Sequence, residues 1–152
     1  YKEGVELLRV VSDDFEGEGC GFYFLSYKGD YVLIGENNQL IHEFNDNGVL
    51  NLNKDTVFDY LKFLCAFSED EDGDMIVIIE NEKSEYLENT SGYQKSRHLR
   101  KYDGAKISDA NALGMYTIYT RYMYAGYLYN GFFEVNIRGE FEIKDQEVVG
   151  LP

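Results

Sequence analysis

The chain has no tryptophan, one proline, two cysteines and two histidines in 152 residues. Each scarcity excludes something. Two thiols, Cys20 and Cys65, cannot by themselves make a structural zinc site, and there is no CxxC pair. They are also too few for a disulfide framework, so free thiols are expected. The sole proline, Pro152, leaves the interior without a proline-marked linker, and no repeat of 20–50 residues is visible. No apolar run approaches the ~20 residues of a membrane helix, and residues 1–15 lack the basic start and apolar stretch of a signal peptide. The first residue is Tyr1 rather than Met, so a fragment of a longer protein is an open reading.

Basic residues are scarce too. The formal net charge is −14, and residues 1–94 carry 21 acids against 6 bases, whereas residues 95–152 carry 7 against 8. Such acidity argues against nucleic acid and anionic membranes, because phosphates would be repelled. It permits a basic protein partner. Hydrophobic residues at 44% and aromatics at 16% are globular values. The length suits one domain spanning 1–152.

The pattern along the chain reads as α+β. "GVELLRVVS" (residues 4–12) is strand-like, and "FYFLSYKGDYVLIGE" reads as a hairpin turning at Lys28-Gly29-Asp30. "QLIHEF" is expected as a short strand, with His42 sharing a face with Leu40 and Phe44. A helix over about 54–67 is predicted from Val57, Leu61, Leu64 and Cys65 at helical spacing, with Asn53 as its cap. "MIVIIE" (75–80) is expected as a central strand covered on both faces. Residues 81–111 are polar and read as an exposed excursion. The predicted architecture is a curved, mainly antiparallel sheet of about six to eight strands packed around that one principal helix.

Six of the fourteen tyrosines fall within residues 115–137, "MYTIYTRYMYAGYLYNGFFEVNI". Strand alternation puts Tyr116, Tyr122 and Tyr124 on the face of Ile118, predicted inward. Tyr119 and Arg121 share the opposite, outward face. A turn at Ala125-Gly126 and a meander ending in "EFEIK" complete this unit.

The motifs "IHEFN", "LNKDTVFDYLKFLCAF" and "IVIIE", with the late "GYLYNGFFEVNIRGEFEIKDQEVVGLP", resemble a group of uncharacterised bacterial proteins over residues 40–80 and 114–152. The resemblance implies a shared helix–strand unit and terminal meander, and no catalytic residues. The Asn-, Lys-, Tyr- and Ile-rich usage points to an AT-rich bacterial source. A cytoplasmic protein and an effector delivered into a host cell are both open.

Candidate chemistry is thin. "EDEDGD" offers Asp70, Asp72 and Asp74 at calcium-loop spacing, but Met75 stands where glycine is required and Asn81 where glutamate is. No metal site is predicted, and no cofactor motif is present. A thiol or histidine enzyme of hydrolase or transferase type would use Cys20 or His42, with an orienting third group. The densest basic cluster, "KSRHLRK", offers Arg97, Arg100 and Lys101 to an acidic partner. The leading expectation is a non-catalytic protein-interaction domain with Tyr119, Arg121, Arg97, Arg100 and Lys101 as partner contacts. The enzyme and an acidic inhibitor or immunity-type protein are the alternatives.

Overall fold

The computed structural model describes residues 1–11, 21–34, 39–67, 75–79 and 102–150. Within them the fold is α+β, with eight strands and two helices. The strands do not form one curved sheet around one helix. They form two antiparallel sheets, and two helices contribute to the core between them.

The first sheet has the order β1-β2-β3, with β1 at Val5–Val11, β2 at Gly21–Tyr27 and β3 at Asp30–Ile34. Its second hairpin closes on Lys28-Gly29, both at positive φ (53° and 92°), so Tyr27 pairs with Asp30. That geometry matches the right-handed strand twist and fixes the register.

Two helices follow, α1 at Gln39–Asn45 and α2 at Val57–Ala66. The α1 segment overturns the expected strand through "QLIHEF". Ile41, Phe44 and Asn45 are buried, the i, i+3, i+4 set of a helix, and Gln39 Nε2 donates to Glu43 Oε1 across one turn at 2.9 Å. A run this short fits both periods, and the tertiary fit selects the helical one.

The α2 helix is shorter than the expected 54–67. Asn53 Oδ1 accepts from the backbone N–H groups of Asp55 and Thr56, so it caps the turn that leads into the helix rather than the helix itself. Val57, Tyr60, Leu61, Leu64 and Cys65 form its buried face, while Phe67 is half-buried.

The second sheet runs β4-β6-β7-β8, with β5 also paired to β6. Here β4 is Val77–Ile78, β5 is Lys106–Ile107, β6 is Tyr116–Tyr124, β7 is Tyr127–Val135 and β8 is Phe141–Gly150. Of the expected central strand at 75–80, the described residues 75–79 contain the two-residue β4, which ends the described strand order. Both β4 and β5 lie along the same side of β6, because β7 occupies the other.

Two loops in this half share one construction, Asn-x-x-Gly-x. In each, the Asn side chain accepts two backbone N–H groups: Leu113 and Met115 on Asn111, Arg138 and Glu140 on Asn136. In each the glycine N–H returns to the Asn carbonyl at 2.9 Å. Gly139 (φ 84°) also has a steric reason: a Cβ there would lie 2.1 Å from Tyr60 Oη. That hydroxyl donates to Gly139 O and accepts from Asn45 Nδ2, which ties both helices to the β7–β8 turn.

One large hydrophobic cluster joins the two sheets and both helices. Leu25 and Ile34 enter it from the first sheet, Phe44, Leu61 and Leu64 from the helices, and Ile118, Tyr122, Phe133 and Val135 from the second sheet. Each sheet therefore has one face in a common core and one face turned away from it.

Candidate interaction face

The strand pairing decides which side chains leave the core. On β6, Tyr116, Ile118 and Tyr122 point inward and are buried, and Tyr124 packs at the margin. Tyr122 stacks on Tyr129 with ring centroids 5.2 Å apart, meets Phe133 edge-on and bonds its hydroxyl to Gln146 Oε1. Burial, and then the neighbouring Tyr129, push its phenol up to about 12.

The opposite face carries Thr117, Tyr119 and Arg121, set against Glu134, Phe132 and Asn130 of β7. Its centre is the directly paired Tyr119 and Phe132, with ring centroids 4.9 Å apart and planes at 49°. Phe132 is 41% exposed and Tyr119 is half-buried. Two open hollows flank this ridge. One, of about 500 Å³, is lined by Lys106, Ser108 and Thr117. The other, of about 90 Å³, is lined by Asn130, Asp145, Gln146 and Glu147. The ridge thus has hydroxyls and a cation on one side, carboxylates and amides on the other.

Arg121 corrects the expectation of an exposed contact. It lies on the outward face but is only 3% exposed. Its Nε donates to Asn130 Oδ1 at 2.9 Å, and its guanidinium carbon sits 4.9 Å from the Tyr102 ring centroid. Burial lowers its pKa, while Tyr119 and Tyr102 act in the other direction. An arginine starts so high that it stays cationic. Tyr102 has a second task. Its hydroxyl accepts from the Arg121 backbone N–H at 3.4 Å and shares a hydrogen bond with Thr120 Oγ1 at 2.9 Å. Arg121 therefore braces the face from beneath.

Beyond Arg121 the same face closes over. Val77, Ile79, Met123, Leu128 and Val149 make a small second cluster there, with Ile79 and Leu128 fully buried. Among the described residues, the open part of the face centres on Tyr119 and Phe132.

Of the other candidate residues, the two that are described, His42 and Cys65, lie on the helices rather than on this face. Cys20, Arg97, Arg100 and Lys101, with the acidic run 69–74, lie outside the described residues. His42 sits on α1 rather than a strand, and its buried Nδ1 finds no hydrogen-bond partner among the described residues. Cys65 is buried in α2, and burial pushes its thiol up to about 12, which suppresses the thiolate a nucleophile needs. Among the described residues no three His, Cys, Asp or Glu side chains gather as a metal ion would require. No described helix is long and apolar enough to cross a membrane.

Phe132, Asn130 and Tyr102 were not anticipated. The first two could have been found by carrying the parity of β6 through the two-residue Ala125-Gly126 turn, which makes Tyr124 face Tyr127 and so sets Tyr119 against Phe132. Tyr102 carries no such signal.

No family model matches the chain, and neither a curated protein nor a solved structure matches it.

Proposed function

We propose that this chain is a non-catalytic protein-interaction domain and that the open part of the second sheet's outer face is its contact surface. The observation that carries this reading is the Tyr119–Phe132 ridge, an aromatic pair turned away from the core and braced by Arg121 and Asn130. Rigid aromatics that lose little entropy on docking, with polar groups at the rim, are the usual anchors of protein interfaces. Tyr119 is the proposed anchor, with Phe132 beside it. Arg121 acts by holding Asn130 in place. Arg97, Arg100 and Lys101 are proposed as further contacts to an acidic region of the partner. A bacterial origin, with action either in the cytoplasm or inside a host cell, belongs to the same proposal.

The test is a side-by-side affinity capture with wild type, Tyr119→Ala and Phe132→Ala, and with Val10→Ser as a control on the first sheet. Proteins retained by wild type and Val10→Ser but lost from both ridge variants would support the reading. Capture unchanged by either ridge substitution would refute it.

A further inference from the structure

The open face of the second sheet carries one row of side chains in register across four strands. Lys106 of β5 pairs with Tyr119 of β6, Tyr119 with Phe132 of β7, and Phe132 with Asp145 of β8. The row therefore reads cation, ring, ring, carboxylate. Lys106 and Asp145 are exposed, and among the described residues neither has an ion-pair partner. The charges beside them are already engaged with one another: Lys144 Nζ lies 2.6 Å from a Glu142 carboxylate oxygen and 3.6 Å from one of Glu134.

Each end of the row is reinforced by a neighbour. Ser108 lines the same hollow as Lys106, and its hydroxyl accepts from the Thr117 backbone N–H at 2.9 Å, which leaves its own proton to donate to an anion. Glu147, opposite Asn130, lines the same hollow as Asp145, so two carboxylates await a cation there. Strands ~4.8 Å apart put the two ends about 14 Å from one another. That span decides the class of ligand. A free amino acid carries both charges on one carbon and reaches one end only. A nucleic acid is anionic throughout and is repelled at Asp145 and Glu147. An extended peptide rises ~3.3 Å per residue and turns alternate side chains to one side, so its residues i, i+2 and i+4 cover the row.

We infer that this face binds an extended segment of a partner protein that crosses the strands. An acidic residue of the segment lies over Lys106 and Ser108, an apolar one on the Tyr119–Phe132 ridge, and a basic one at Asp145 and Glu147, each two positions from the next. This rests on the interaction reading above and adds the chemistry of the partner. The ridge supplies the apolar contact, and the two charged ends select the sequence. A domain of net charge −14 attracts any cationic peptide, so net charge alone favours a doubly basic ligand. The row favours a mixed one.

The test is an NMR titration of backbone amides with three peptides capped at both ends: Glu-Thr-Leu-Thr-Lys, Lys-Thr-Leu-Thr-Lys and Glu-Thr-Leu-Thr-Glu. On the wild type the mixed peptide should give saturable shifts at Lys106, Tyr119, Phe132 and Asp145, and should bind about threefold more tightly than either of the others. Lys106→Glu should make the doubly basic peptide the tightest ligand. Asp145→Lys combined with Glu147→Lys should make the doubly acidic one the tightest. The inference is overturned by the absence of saturable shifts at those amides, by a doubly basic or doubly acidic peptide that binds the wild type as tightly as the mixed one, or by preferences that neither charge reversal moves. The comparison of peptides on the wild type decides the matter even where a variant fails to fold. Capture with Tyr119→Ala and Phe132→Ala tests the surface apart from this chemistry. Proteins lost from both ridge variants, with no peptide bound to the wild type, would overturn this inference alone and leave the interaction reading standing.

Discussion

The two sheets of this protein are built alike and finished differently. Both are antiparallel, both use an Xaa-Gly hairpin turn with a non-glycine residue at positive φ, and both press one face into the same cluster. The outer face of the first sheet carries exposed apolar side chains: Val10 pairs directly with Phe22, and Leu33 and Tyr31 follow along β3 opposite Phe24 and Ser26. The outer face of the second is braced. Arg121 is sealed beneath Tyr102 and Asn130, a second small cluster closes one end, and among the described residues the Tyr119–Phe132 ridge stays open. Alternation along a strand thus tells which way a side chain leaves the backbone. What lies over it there decides whether it meets water.

The largest effects should come from the shared core, since a core common to both sheets ties them into one unfolding unit. Leu25→Ala in the first sheet and Phe133→Ala in the second should each cost about 2–5 kcal/mol in denaturant melts, with one cooperative transition in both cases. Two separated transitions would break the idea of one core.

Gly139→Ala acts where the β7–β8 turn of the second sheet meets α2. The new methyl meets Tyr60 Oη, at a φ that suits glycine, and should cost about 1–3 kcal/mol. A neutral result would mean that the helices are not tied to the β7–β8 turn through Tyr60.

Alkaline pH probes the same side of the core. The Cys65 thiol and the Tyr122 phenol, ordinarily 9.0 and 10.0, are both raised to about 12 by burial. Above the ordinary values the unfolded chain has released these protons while the folded one retains them. Their contribution is therefore complete below about pH 9 and is lost as pH rises toward 12. Melting temperature should fall across that window, and Cys65→Ala combined with Tyr122→Phe should flatten the fall.

The smallest effects should come from the hairpin turns. Lys28 and Ala125 hold φ of 53° and 48°, where a side chain other than Asn, Asp or Gly is strained. Lys28→Asn and Ala125→Asn should each stabilise by about 0.5–1 kcal/mol in the same melts. A gain at only one of them would show that the two hairpins differ after all.

Much of this was legible because it depends on local chemistry. The hairpin turns, the apolar stripe of α2 and the inward set Tyr116, Ile118 and Tyr122 follow from periods of two and 3.6 residues and from glycine placement. The α1 segment was not legible, since six residues of "QLIHEF" fit either period. The place of Val77–Ile78 at the end of the described strand order depends on pairing with residues more than forty positions away. The burial of Arg121 depends on Tyr102, nineteen residues upstream in a stretch without clear periodicity.

The most direct test of this account compares Tyr122→Ala with Tyr119→Ala by urea denaturation. These two tyrosines are three residues apart on one strand and are assigned to opposite faces. Tyr122→Ala should cost about 3–5 kcal/mol, because it empties a buried position among Tyr129, Phe133 and Gln146. Tyr119→Ala removes a single ring contact with Phe132 and should cost about 1 kcal/mol. Equal losses, or a larger loss at Tyr119, would contradict the register of the second sheet and with it the proposed interaction face.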